Sequence, residues 1–268
     1  MVFGDIVTLI LFDAIRRVTA QGAGILYVSH RLSEIFTIAD SYTVFRDGGF
    51  VQSGQLADID RRQLVKLIVG QEVRVTEKRR RASTQESALM SVAGFSRKGE
   101  FEDISLNVAP GEVLGIYGLM GSGRSEFLNC LYGLTRPDRG EARLRDRLLP
   151  KGNPAASIKA GLSLVTEDRK ASGLVLSSSV SFNTSLSALP SLQRASVVDR
   201  AAERSLVNDL LLRMRIKLAS PAMAVSGLSG GNQQKVVLAR CVATNPICLL
   251  CDEPTRGIDE GAKREVYA

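Results

Sequence analysis

Three short segments hold the residue types able to do chemistry. Gly118 to Ser125 reads GLMGSGRS and matches the phosphate-loop pattern G-x-x-x-x-G-K-[S/T], except that Arg124 stands where the pattern has lysine. Gly118, Gly121 and Gly123 let the backbone curl around Ser122 so that successive N–H groups point inward. A helix starting there adds positive potential where β- and γ-phosphates would lie. Ser125 would offer its hydroxyl to Mg²⁺, while Arg124 replaces a compact ammonium by a planar fork that grips phosphate with altered geometry. The second segment, ICLLCDEP from Ile247 to Pro254, puts two adjacent carboxylates at the end of an apolar run. Asp252 is placed to hold Mg²⁺ through its water shell, and Glu253 to polarise an attacking water.

The third segment is LSGGNQQKVVLAR, Leu228 to Arg240. Ser229, Gly230 and Gly231 stand just before a predicted helix, so a hydroxyl and free N–H groups converge on a second anion position. A loop does not easily fold onto a nucleotide already held by its own domain's glycine loop, and the expected ligand is therefore nucleotide on an opposing domain. The competing reading is a plain N-cap at Ser229 followed by a solvated Gln-Gln-Lys face. It leaves the double glycine unexplained.

These segments need a framework of strands that end where the loops begin. FEDISLNVAPGEVLGIYG predicts two strands separated by a Pro-Gly turn, the second running into the glycine loop, with a helix from about Ser122 that contains Phe127, Leu128 and Leu131. GLSLVTED predicts a strand, AAERSLVNDLLLRMRI an amphipathic helix, and KVVLARCVAT a helix leading into the strand ICLLCDE. Strands that alternate with helices argue for an α/β fold with a parallel sheet, and its ligands are expected at the carboxyl ends of the strands.

Upstream, Ile6, Leu9, Ile10, Ala14, Ile15 and Val18 recur at helical spacing, and GILYVSH reads as a buried strand opening onto Ser29 and His30. RLSEIFTIAD resumes a helix, and SYTVFRDGGFVQSG reads as a hairpin turning at Asp47-Gly48-Gly49. The polar, charged stretch EKRRRASTQES, Glu77 to Ser87, has no hydrophobic period and marks a linker. The expected organisation is residues 1–72, a linker at 73–87, and residues 88–268.

The order glycine loop, LSGGNQQ, LLCDEPTRGID resembles the ABC transporter ATPases over essentially the whole chain. GLMGSGRSEF, TEDRKASGLVL and SGGNQQKVVLAR are most similar to the second nucleotide-binding domain of the fused, two-domain ATPases of bacterial sugar importers, in which arginine commonly replaces the loop lysine. Residues 1–72 resemble the end of the first domain of the same proteins. The resemblance implies a P-loop NTPase of ABC type: a mostly parallel core sheet, an antiparallel β subdomain and a helical subdomain, present here as an incomplete copy. It implies ATP and Mg²⁺ as ligands and ATP hydrolysis coupled to sugar uptake. The implied partners are membrane-spanning permease subunits, a solute-binding protein and an opposing ABC domain.

Residue by residue, the resemblance assigns Glu167 in TEDRK to the position that touches Mg²⁺ and relays to the membrane subunits. It assigns Asp259 in RGID to the loop after the catalytic carboxylates, and His30 to the switch histidine that contacts the γ-phosphate, where an imidazole senses whether that group remains. Phe95 and Phe101 are the candidates for stacking on adenine, and neither falls squarely where such a residue sits in the family.

Composition bounds these readings. A chain of 268 residues, 44% hydrophobic and 24% charged, can bury one large core or two modest ones. The apolar run Ile6 to Phe12 is too short to span a bilayer, and MVFGD lacks the basic start of a secretory signal, so the expected location is the cytoplasmic face of the membrane, peripherally. Net charge +7 suits an anionic partner. The basic cluster sits on the linker without interleaved aromatics, which ranks a nucleic-acid-associated ATPase behind both the importer and a noncatalytic nucleotide-binding module. Cys248 and Cys251, inside an apolar strand and facing a single histidine in the whole chain, are expected as small buried hydrophobes rather than a redox or zinc pair.

Overall fold

The computed structural model describes residues 3–29, 32–46, 49–69, 88–119, 121–258 and 263. The described residues fall into two compact units, one comprising those up to residue 69 together with residue 263 and one from residue 88 to 258, each with its own core.

In the first unit the helical spacing from Ile6 to Val18 forms α1 (Phe3–Ala20), and RLSEIFTIAD supplies α2 (Leu32–Ile38). The hairpin is β1 (Ser41–Arg46) against β2 (Gly49–Gln55), antiparallel, while its expected turn residues Asp47 and Gly48 lie outside the described residues. A helix absent from the sequence expectations, α3 (Arg61–Val69), is started by a reciprocal cap. The Gln63 amide donates to Asp60 Oδ1 at 2.7 Å, and the Asp60 amide donates back to Gln63 Oε1 at 2.8 Å. Leu32, Tyr42, Val44, Leu56, Leu64 and Val65 close the core of this unit.

The second unit contains a four-stranded antiparallel sheet in the order β4-β3-β5-β6, built from β3 (Met90–Arg97), β4 (Phe101–Val108), β5 (Arg139–Leu144) and β6 (Arg147–Leu148). Between β4 and β5 lies α4 (Arg124–Tyr132), and after β6 come α5 (Pro154–Ala160) and β7 (Leu162–Val165). The helical part comprises α6 (Val180–Ser185), a small ribbon of β8 (Gln193–Arg194) and β9 (Val197–Val198), α7 (Arg200–Arg213) and α8 (Gly230–Val242). Finally β10 (Cys248–Cys251) pairs in parallel with β7. One core joins the antiparallel sheet to α4 and the parallel pair through Phe95, Phe127, Leu131, Leu162 and Leu250. The other packs the helices on one another through Val180, Val207, Leu210, Val236 and Val237.

Two expected strands do not form. GILYVSH, residues 24 to 30, carries no strand over its described part, and Leu26 and Val28 are 95% and 90% exposed. That segment is held instead by side chains, with Tyr27 Oη and Ser29 Oγ donating to Glu34 Oε2 at 3.0 and 2.7 Å. Likewise, the Pro110-Gly111 turn is present, with the Glu112 amide donating to Ala109 O at 3.1 Å, but residues 112–119 after it carry no strand. Val113 and Tyr117 there are 96% and 94% exposed. An apolar run becomes a strand only when a neighbouring backbone takes up its N–H and C=O groups. No described strand pairs with either segment.

Candidate functional site

The phosphate-loop sequence ends at α4 in the way its glycines require. Gly123 is the N-cap of α4 at φ +86°, and a Cβ placed there would lie 2.2 Å from the Glu100 carbonyl oxygen and 3.2 Å from Phe101 Cβ. Only glycine fits both the left-handed backbone and that approach. Gly121 is also left-handed, at φ +77°. At Gly118 a Cβ would fall 2.5 Å from Ser122 Oγ, so the missing side chain lets Ser122 fold over the loop. Gly123 gives no side-chain cap to the first turn of α4, and this leaves first-turn amides at the helix's positive end for a ligand.

The acidic residues reach the same place from the ends of two strands. β7 and β10 run in register, Cys251 opposite Val165, and the Asp252 amide extends the ladder by donating to Val165 O at 2.9 Å. Asp252 and Glu167 therefore leave the parallel pair at the same end. Asp252 is buried at 7% exposure, whereas Glu253 is exposed and has φ +40°, a backbone region non-glycine residues enter at a cost. Arg124 Nη2 stands 3.4 Å from Glu253 Oε1, and Ser125 Oγ stands 3.5 Å from Glu167 Oε2, at the outer limit of a hydrogen bond. Glu167 Oε1 is paired with Arg256 Nη1.

LSGG is built differently from expectation. Ser229 is an N-cap: its Oγ accepts from the Asn232 amide at 3.4 Å and from Asn232 Nδ2 at 3.0 Å. The face that follows is not solvated, since Gln233, Gln234 and Lys235 are buried. Gly231 is buried as well, and at Gly230 a Cβ would lie 2.9 Å from Arg169 Nη2. The double glycine thus has a packing reason beside any ligand. Among the described residues, no hydrogen bond or ion pair joins Ser229–Gly231 directly to Gly118–Ser125.

Of the remaining expectations, His30 and Asp259 lie outside the described residues, as does the basic linker at 77–87. Phe95 and Phe101 are not free to stack on a base. Their rings lie on one another with centroids 6.0 Å apart and meet the Phe127 edge at 6.1 and 5.6 Å, inside the core. The cysteines also depart from expectation: Cys248 is half-buried and Cys251 exposed. Two arginines that line the site were passed over in the sequence, Arg169 in TEDRK and Arg256 in TRGID. The available signal was their position, each within four residues of a candidate carboxylate.

The donor set is all oxygen: the Ser125 hydroxyl and the carboxylates of Glu167 and Asp252. Such donors suit Mg²⁺, which keeps several waters and takes one or two carboxylates plus phosphate oxygens. No group of three or more His, Cys, Asp or Glu placed to hold a metal occurs among the described residues, so a cation here would lean on ligand phosphate. Beside Gly123, a cleft of about 540 Å³ opens over Ser96–Glu102, Asp138 and Arg139. Among the described residues no helix is long and apolar enough to cross a membrane.

Comparison with known proteins gives this arrangement a context. The family model described as ABC transporter matches residues 101–256. The chain is 44% identical over 257 residues to the ribose import ATP-binding protein RbsA 2 of Streptomyces avermitilis, covering 96% of this chain and 51% of that protein. It is 43% identical over 259 residues to the ribose import ATP-binding protein RbsA of Oceanobacillus iheyensis, covering 96% and 52%. The chain spans about half the length of the curated relatives it matches. Among solved structures it is similar to cbiO1 of Clostridium perfringens, with TM-score 0.55 and 22% identity over 68% of this chain and 71% of that one. A dimeric post-hydrolysis ATP-binding cassette bound to ADP and Pi gives TM-score 0.56 and 23% identity, over 66% and 79%. Both show the fold.

Proposed function

The chain belongs to the ABC transporter family, and from that premise we propose that it acts as the ATP-binding component of a bacterial carbohydrate importer. In this reading it couples ATP binding and hydrolysis to sugar movement through separate permease subunits served by a solute-binding protein. It works at the cytoplasmic face of the membrane, without a span of its own among the described residues. The relatives named for ribose import support the carbohydrate class. One observation carries the site: Arg124 and Ser125, from the glycine loop, lie against Glu253 and Glu167, which are distant in sequence.

Gly118, Gly121, Ser122 and Gly123 shape the cradle, and the first-turn amides of α4 with Arg124 take the β- and γ-phosphates. The cleft over Ser96–Glu102 abuts Gly123 through Glu100 and gives the rest of the nucleotide room. Ser125, Glu167 and Asp252 would hold Mg²⁺, which when bound neutralises charge on the phosphate oxygens. Glu253 orients the attacking water and accepts its proton. For that role Glu253 must leave Arg124, which the triphosphate draws to itself. Ser229–Gly231 faces nucleotide held by an opposing domain. Phosphoryl transfer depends on positioning and charge, so an arginine loop slows it, as does assaying the chain without an opposing domain. Nucleotide binding is expected to exceed turnover in the isolated chain. The test is titration of the full chain with a fluorescent ATP analogue, with and without Mg²⁺, beside steady-state ATPase assays. Absence of saturable binding defeats the reading.

A noncatalytic nucleotide-binding module is the second reading, and Arg124 in place of the loop lysine favours it. That module binds Mg-ATP, and its turnover stays at background when permease subunits are supplied.

A further inference from the structure

We propose that Arg169 is a positioning residue that fixes the Ser229–Gly231 turn to the loop bearing Glu253 and Arg256, and so to the Glu167 carboxylate. All of its partners lie within the second unit. Arg169 follows Glu167 by two residues and opens a short π-turn, Arg169–Gly173, whose start is capped by Asp168. The Asp168 carboxylate accepts from the Lys170 and Ala171 amides at 2.8 and 3.1 Å, which holds the backbone that aims the guanidinium.

The fork then spends each of its nitrogens on a different anchor. Nη1 donates to Arg256 O at 3.1 Å and Nη2 to Gly257 O at 3.2 Å, tying down the loop after the carboxylates. Nε donates to Gln233 Oε1 at 3.3 Å, and Gln233 is a buried residue of α8. Gln233 Nε2 in turn donates to Leu228 O at 3.1 Å and Val225 O at 3.3 Å, the carbonyls that lead into Ser229. A planar guanidinium can hold three acceptors at once in fixed directions; a lysine ammonium has neither the fork nor the planarity.

The glycines corroborate the placement. A Cβ at Gly230 would stand 2.9 Å from Arg169 Nη2, and one at Gly257, which has φ +67°, would stand 3.4 Å from Nη1. Two glycines from separate segments therefore open the space the fork occupies. Arg256 closes the circuit, since its backbone carbonyl accepts from Arg169 while its side chain pairs with Glu167. The turn expected to meet an opposing domain is thereby linked to the acid expected at the cation. Whichever way one moves, the other must follow or break the fork.

The nucleotide part of this inference rests on the function proposed above, whereas the geometric link does not. The test uses the full chain in two arms. In the ligand-free arm, hydrogen exchange is followed in wild type, Arg169→Ala, Arg169→Lys, Gly230→Ala and the Arg169→Ala/Gly230→Ala double variant. Arg169→Ala is expected to raise amide exchange at least ten-fold at both 229–233 and 256–258, with Arg169→Lys restoring less than half of the lost protection. Gly230→Ala is expected to loosen the same two segments in wild type and to add nothing once Arg169 is gone. Exchange within two-fold of wild type at either segment, or fully additive effects of the two substitutions, overturns the proposal. If Arg169→Ala does not fold, Arg169→Lys and Gly230→Ala decide it by the same criteria.

In the second arm, Arg169→Ala is expected to weaken ATP-dependent self-association at least ten-fold more than it weakens binding of a fluorescent ATP analogue. Equal losses in the two overturn the positioning role. A wild-type chain that binds no Mg-ATP rejects the functional reading, and the exchange arm still decides the link.

Discussion

Arg124 Nη2 lies 3.4 Å from Glu253 Oε1, so the cation of the glycine loop and the carboxylate after β10 face each other across 129 positions of sequence. Each is the other's counter-ion. Exposed pairs of this kind contribute about 0–1 kcal/mol to stability. Their proximity bears on chemistry far more than on the fold.

Glu253→Gln should therefore leave the urea unfolding midpoint nearly unchanged while lowering any ATP turnover about 100-fold or more, the range expected for a lost general base. Steady-state phosphate release, compared with unfolding monitored by circular dichroism, separates the two. A turnover equal to wild type would exclude Glu253 as the base.

Arg124→Ala should weaken binding of a fluorescent ATP analogue by about ten-fold or more, because a charge-assisted phosphate contact contributes about 1.5–3 kcal/mol. Arg124→Lys should recover most of that affinity, since lysine is the usual cation of such loops.

Gly123→Ala tests the loop from the side of the fold. Its Cβ would meet the Glu100 carbonyl oxygen at 2.2 Å with the backbone at φ +86°, and neither atom is the movable end of a side chain. A loss of about 2 kcal/mol or more is expected, from left-handed strain plus overpacking. Denaturant titration measures it.

Acid should destabilise the second unit. The Glu203 carboxyl is held below the usual carboxylate range by the Ser185 hydroxyl at 2.7 Å and by Arg200 at 2.8 Å. Accepting backbone amides lowers Asp199 and Asp168 in the same direction. For a lowered group, the stabilisation is complete above its unfolded-state pKa and is lost as pH falls through the lower folded value. Stability should thus be flat at neutral pH and decline through the acidic carboxylate range, and Glu203→Gln should flatten that decline. A decline of the same slope in Glu203→Gln would contradict this assignment.

Local chemistry made the second unit readable. The strand-to-loop position of Asp252 and Glu253, the glycines of α4's N-terminus and the helices α7 and α8 all follow from short patterns whose physics is contained within a dozen residues. Residues 24–29 and 112–119 were misread for the opposite reason, because an apolar run reports a preference for strand while the strand itself depends on a distant backbone. The Asp60–Gln63 cap of α3 was legible and overlooked. Arg169 carries only the signal of its closeness to Glu167, since its three acceptors are brought together by the packing of α8 against the loops around Glu167 and Gly257.

In the proposed function, the glycine loop and the acids at the ends of β7 and β10 form one Mg-nucleotide site. Isothermal titration of the full chain with Mg-ATP, in wild type, Arg124→Ala and Asp252→Ala and again with excess EDTA, measures it most directly. One site per chain is expected, weakened about ten-fold or more by each substitution, with EDTA weakening wild type and leaving Asp252→Ala nearly unaffected. Binding that ignores Asp252 and Mg²⁺ while depending on Arg124 would show that the loop and the acids do not share a ligand.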